Sequence, residues 1–160
     1  MVIKLLGKAQ QEQKHLVVAW GSESLAKHQS VVHLGSNHEE ADTKLVLHAL
    51  AVSCSGATAV HVYSPATDVI VLLIRRYPEL CQDTSFVTAG QNHRNLVRGQ
   101  CPGAKKAAAL PSFHALSGAD VTSSFAGKGK ISCWKVFNGL EKALTGLAAL
   151  GTSDQPSELA

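Results

Sequence analysis

A strand–helix–strand signature in the first half of the chain most restricts what it can fold into. Ser36-Asn37-His38-Glu39 has the Ser-x-x-Glu form of a capping box, in which the serine and glutamate side chains satisfy backbone donors that the first helical turn leaves unpaired. Ala41, Leu45, Val46, Ala49 and Val52 follow at helical spacing, which predicts a helix over residues 38–54, ended by Ser55-Gly56. Residues 58–63 are β-branched and aromatic, as in a buried strand. Ahead of the helix, the short apolar runs Leu16-Val17-Val18-Ala19-Trp20 and Val31-Val32-His33-Leu34 read as two more strands. Strands alternating with a helix imply an α/β domain built on a parallel sheet.

Further along, residues 69–77 fit a strand or a helix before Pro78 interrupts them, and the helix is preferred. Residues 84–88 suggest another short strand, and 90–103 a polar loop. Residues 104–109 are helix-prone, and Pro111 is read as opening a second short helical piece. From Lys130, the stripe Trp134, Phe137, Leu140, Leu144, Leu147 and Ala148 predicts one long final helix, weakened by Gly139 and Gly146. Residues 151–160 are expected to be a flexible tail.

At 160 residues, with 45% hydrophobic and 17% charged positions, the chain has the length and composition of one domain with its own core, here 1–150. Cys54, Cys81, Cys101 and Cys133 have no CxxC spacing and are read as free thiols. The apolar start Val2-Ile3-Lys4-Leu5-Leu6 is too short for a signal peptide, and no run reaches the ~20 apolar residues of a membrane span. An intracellular protein, nuclear or cytoplasmic and without a membrane partner, is the expectation. The net charge of +3 is too small to bind phosphate by electrostatics alone. Its distribution is uneven, since from residue 94 to 134 Arg94, Arg98, Lys105, Lys106, Lys128 and Lys130 are opposed only by Asp120.

Four acidic residues fall at the ends of the expected elements: Glu40 and Asp42 opening the first helix, Asp68 after the strand, and Asp120 after Leu116-Ser117-Gly118-Ala119. In a parallel α/β sheet those ends share one edge, where ligands bind. Carboxylates gathered there suit Mg²⁺, a hard cation that prefers oxygen ligands. Each acid also has an ordinary structural role, as a helix cap, a macrodipole partner or a turn residue. His33, His38, His48, His61, His93 and His114 show no HExxH or other zinc spacing, and no Gly-x-Ser-x-Gly elbow suggests a serine hydrolase.

The order and wording of four segments carry more weight than any single acid. His38-Glu39-Glu40-Ala41-Asp42-Thr43, Ser64-Pro65-Ala66-Thr67-Asp68-Val69, residues 109–120 with Gly118-Ala119-Asp120, and Gly127-Lys128-Gly129-Lys130 together resemble the flap-endonuclease/XPG-like superfamily of PIN-like nucleases, in particular a divergent branch found in uncharacterised animal proteins. The resemblance spans roughly residues 16–144. It implies a PIN-like parallel sheet with flanking helices and a helix-hairpin-helix-like segment at about 117–138. It also implies a Mg²⁺- or Mn²⁺-dependent phosphodiesterase site, with Glu40, Asp42, Asp68 and Asp120 as metal-binding and catalytic residues. Gly127, Lys128, Gly129 and Lys130 would contact a nucleic-acid phosphate, DNA being the favoured polymer over RNA.

Two departures qualify this picture. Ala66 stands where the superfamily's Asp-x-Asp motif has its first carboxylate, and no Asp precedes Asp42 to supply the amino-terminal site residues. The domain is accordingly expected to be incomplete at its amino end and catalytically impaired, acting in nucleic-acid binding or interaction. A sheet edge left open there would invite a protein partner or self-association. The alternative is an active nuclease completed by further amino-terminal strands.

Overall fold

The computed structural model describes residues 2–12, 14–20, 23–26, 41–88, 91–95, 101–119 and 126–150. It is a mixed α/β fold. Helix α1 (Val2–Gln11) precedes an antiparallel hairpin of β1 (Val17–Trp20) and β2 (Glu23–Ala26). Then come α2 (Ala41–Cys54), β3 (Ala59–Tyr63), α3 (Thr67–Arg76), a single 3₁₀ turn at Tyr77–Glu79, β4 (Asp83–Thr88) and β5 (Gln91–Asn95). Three helices close the fold: α4 (Ala104–Leu116), α5 (Lys130–Gly139) and α6 (Glu141–Ala149).

The main sheet runs β3-β4-β5, with β3 and β4 parallel and β5 antiparallel to β4. The sheet is therefore mixed, not wholly parallel as expected. The expected loop over 90–103 contains β5 because a strand beside an existing edge is held by backbone hydrogen bonds, which the polar sequence Gln-Asn-His-Arg-Asn supplies as well as an apolar one. Among the described residues, the edge of β3 opposite β4 carries no further strand. The expected strand at 31–34, the capping box at 36–39 and the tail at 151–160 lie outside the described residues.

Helix α3 sits between two apolar cores. Val69, Leu73 and Tyr77, spaced four apart, are buried against Val46 and Ala49 of α2 and Val60, Val62 and Phe86 of the sheet. Val71 and Ile74, on another face of the same helix, pack against Ala109, Leu110 and Phe113 of α4, Phe137 of α5 and Leu144 of α6. Strand β3 alternates exposed and buried residues, so Val60 and Val62 face the first core while Ala59, His61 and Tyr63 face away.

Two expectations about the carboxyl-terminal half are corrected. Pro111 does not divide the helix, since α4 runs unbroken through it. Proline in a helix interior forfeits a hydrogen bond and costs ~3 kcal/mol. Burial of Ala107, Ala109, Leu110 and Phe113 on both sides of it offsets that loss. The single long final helix is in fact two, α5 and α6, because Leu140 takes an extended conformation (φ −116°, ψ 98°) directly after Gly139. The break lets Phe137 and Leu144 both enter the second core.

All four cysteines are free, Cys54 exposed and the others partly buried. Burial pushes the Cys101 thiol above its usual range. At neutral pH, iodoacetamide is expected to alkylate Cys54 well before Cys101, with Cys101 gaining as the pH rises and its thiolate forms; mass spectrometry of timed digests reads the order. Leu73→Ala, which opens a cavity at a fully buried position, is expected to cost about 2–5 kcal/mol in urea denaturation.

Candidate functional site

Strand β3 ends at Tyr63, and Ser64-Pro65-Ala66 turns the chain into α3. The Ser64 amide donates to the Val87 carbonyl at 3.1 Å, so the β3–β4 ladder extends to the start of the turn. The buried Ser64 hydroxyl then accepts from the Ala66 amide at 3.1 Å, a local Ser turn that directs the chain off the sheet. Asp68 consequently lies in the first turn of α3, at the carboxyl end of β3. Asp42 lies in the first turn of α2, which packs along β3 and is joined to its beginning by a short turn. The helix must run antiparallel to the strand, so its first turn approaches the same end. Both described carboxylates of the expected set thus lie toward the carboxyl end of β3, the end at which parallel α/β sheets commonly bind ligands. Glu40 and Asp120 lie outside the described residues.

Asp68 is held by a residue that no spacing rule singled out. His114 Nε2 donates to Asp68 Oδ1 at 2.7 Å. On the other side of the ring, Lys130 Nζ donates to His114 Nδ1 at 3.2 Å and to the Gly118 carbonyl at 2.8 Å. A lysine ammonium has donors only, so Nδ1 must be the acceptor, and the ring proton therefore sits on Nε2 and points at the carboxylate. The chain Asp68–His114–Lys130–Gly118 ties the first turn of α3 to the last turn of α4 and the first of α5. It could be found in sequence only as a histidine inside the phrase at 109–120, because the helical pairing of α3 with α4 that creates it is tertiary.

The glycine positions have clear backbone reasons. Gly118 (φ 103°) follows the last turn of α4, and Gly127 (φ 69°) precedes α5, both in the left-handed region that side chains disfavour. Gly129 is the amino-terminal cap of α5. Lys128 is exposed between Gly127 and Gly129, and Lys130, also exposed, turns its ammonium to His114 and the Gly118 carbonyl. The expected helix-hairpin-helix-like segment is thus bracketed by two helices in contact, with the Phe113 and Phe137 ring centroids 4.6 Å apart. Its turn over 120–125 is outside the described residues.

Ala66 caps α3 with an extended backbone (φ −81°, ψ 132°) and no side-chain cap. Lys44, in the first turn of α2, is buried, and its ammonium makes no hydrogen bond among the described residues. Among those residues, no group of three or more His, Cys, Asp or Glu side chains is arranged to hold a metal ion. Of the expected carboxylates, Asp42 and Asp68 are described, and Asp68 is already engaged by His114.

Tautomer-resolved ¹⁵N spectra are expected to place the His114 ring N–H that faces Asp68 on Nε2. His114→Ala, which leaves Asp68 and Lys130 without this partner, is expected to lower stability by about 1–3 kcal/mol in urea denaturation, with Asp68→Asn closer to wild type because it keeps an acceptor. Neither a family model, nor a curated protein, nor a solved structure matches this chain.

Proposed function

We propose that this domain is a flap-endonuclease/XPG-like (PIN-like) module that binds nucleic acid through its α4–α5 side and lacks a complete catalytic metal site. One observation carries the reading: Asp68, His114, Gly118 and Lys130, drawn from three of the four motif segments, form one continuous hydrogen-bonded chain. The direct Asp68–His114 contact joins residues 46 apart in sequence, which supports reading these segments as parts of one unit. The exposed Lys128, flanked by Gly127 in a left-handed conformation and by Gly129, supports backbone and ammonium contact with a phosphate.

Impairment follows from the donor set. Ala66 withholds a carboxylate beside Asp68, and Asp68 is already hydrogen-bonded to His114. Mg²⁺ or Mn²⁺ would be held by Asp42 and Asp68 with Glu40 and Asp120, if these four carboxylates act together. The second reading, an active metal-dependent nuclease completed by further strands, is favoured by the open edge of β3 among the described residues.

Binding of labelled flap or single-stranded DNA is expected to be weak and to fall steeply with salt. Lys128→Glu should weaken it for all sequences alike and lower the salt slope by about 1, leaving stability unchanged. Affinity indifferent to salt would point to a protein partner instead.

Metal binding separates the two catalytic readings. Ala66→Asp and Ala66→Asn should each stabilise α3 by about 0.5–1 kcal/mol as amino-terminal caps. Only Ala66→Asp should also tighten Mn²⁺ binding in calorimetric titration. Equal Mn²⁺ affinity in both would show that these carboxylates do not share an ion. Robust cleavage by the wild type, abolished by Asp120→Asn, would establish the active-nuclease reading.

A further inference from the structure

Trp134 is the least explained of the large side chains near the candidate site. It lies on α5, one turn beyond Lys130, and is 45% exposed although it belongs to an aromatic cluster. One part of that cluster is a stacked contact with Phe137, with centroids 5.2 Å and planes 22° apart, and another an edge contact with Phe113 at 5.4 Å. The indole is therefore held rigidly while much of it remains open to solvent. Its neighbour Ile131 is 78% exposed, so the apolar surface continues along α5.

Two cavities meet at this residue. One, of about 380 Å³, is lined by Trp134, Ile131, Phe113 and Leu110 together with His114 and Lys130, which places it directly against the Asp68–His114–Lys130 chain. Its size falls within the roughly 300–1,000 Å³ usual for small-ligand pockets. The other, of about 940 Å³, is bordered by Trp134, Leu110 and Phe137 and by Lys105 and Lys106 of α4. The two lysines of this cavity differ in engagement: Lys105 pairs with Glu141 at 2.9 Å, while Lys106 donates to the neutral Asn138 amide oxygen at 3.0 Å and has no acidic partner among the described residues, and Lys130 supplies the cation of the first cavity. A fixed aromatic face with ammonium groups on both sides is the recognition pattern of an unpaired nucleotide, whose base stacks and whose flanking phosphates are neutralised. An apolar protein segment would match the middle of this surface but not its two cationic ends.

We propose that Trp134 is a stacking platform for one unpaired nucleobase, with the strand's phosphates running from Lys130 and Lys128 across to Lys106. The inference rests on the nucleic-acid reading above and sharpens it: the substrate class is a single-stranded segment, which reaches the Asp68 edge by way of the pocket that Trp134 and His114 share.

Trp20→Phe leaves Trp134 as the sole indole, since the chain has two tryptophans. Oligo(dT), oligo(rU) and a blunt duplex of the same length are titrated into that protein at low salt while emission and oligonucleotide anisotropy are recorded. Quenching by the single strands and not by the duplex is expected, and the dT and rU arms decide which sugar is preferred. In the otherwise native chain, Trp134→Leu is expected to weaken single-strand binding about tenfold, and Trp134→Phe to recover most of it. The emission measurement needs no change at Trp134, so it stands even if the leucine variant does not fold. Salt-sensitive binding with unchanged Trp134 emission would overturn the stacking platform and leave the nucleic-acid reading intact. No binding to any of the three ligands would overturn both. Concentration-dependent self-association lost in Trp134→Leu would assign the pocket to a protein interface and overturn the proposal as well.

Discussion

Both apolar cores of this fold lean on helix α3. An amphipathic surface helix needs one apolar stripe, but Val69, Leu73 and Tyr77 face the sheet and α2 while Val71 and Ile74 face α4, α5 and α6. Burial on two sides makes the helix a shared wall between two cores. Each core alone is small, and neither could be disturbed on its α3 side without exposing the other. This arrangement explains why a stretch apolar enough to pass for a strand is helical, and why Leu73 and Val69 are completely shielded from solvent.

The same constraint positions the site. Because α3 is clamped from both sides, its first turn has a fixed place at the carboxyl end of β3, and Asp68 with it. The α3–α4 packing then presents His114 to that carboxylate, and Lys130 completes the link by reaching back from α5 to His114 and Gly118. These hydrogen bonds are modest individually, about 1 kcal/mol net for neutral partners and somewhat more where a charge is involved. Their larger effect is geometric, since they hold the ends of three helices together. A carboxylate already accepting a hydrogen bond from an imidazole is also less available to a cation.

Trp134, Ile131 and Lys128 lie on or beside α5, beyond the second core from the sheet. Trp134 and Ile131 leave apolar surface open where burial would have been simple to arrange, and Lys128 stands clear of the protein between two glycines. Stability alone does not call for either feature. The proposed surface for an unpaired base and its phosphates would account for both.

Local pattern was enough to read α2, β3 and β4, through helical spacing from Ala41 to Val52, β-branched residues at 58–63 and the short run at 84–88, whereas the apolar run before Pro78 left α3 open between strand and helix. The positive φ of Gly118 and Gly127 was not read from the sequence and emerges from the structure. What sequence reasoning missed depends on partners distant along the chain. Strand β5 exists because β4 offers an edge, α4 runs through Pro111 because its face is buried, and the final helix breaks at Leu140 so that Phe137 and Leu144 can fill one core. The pairing of Asp68 with His114, 46 residues apart, belongs to the same class. Residue types state what a side chain can do; only the packing of α3 against α4 decided which two of them would meet.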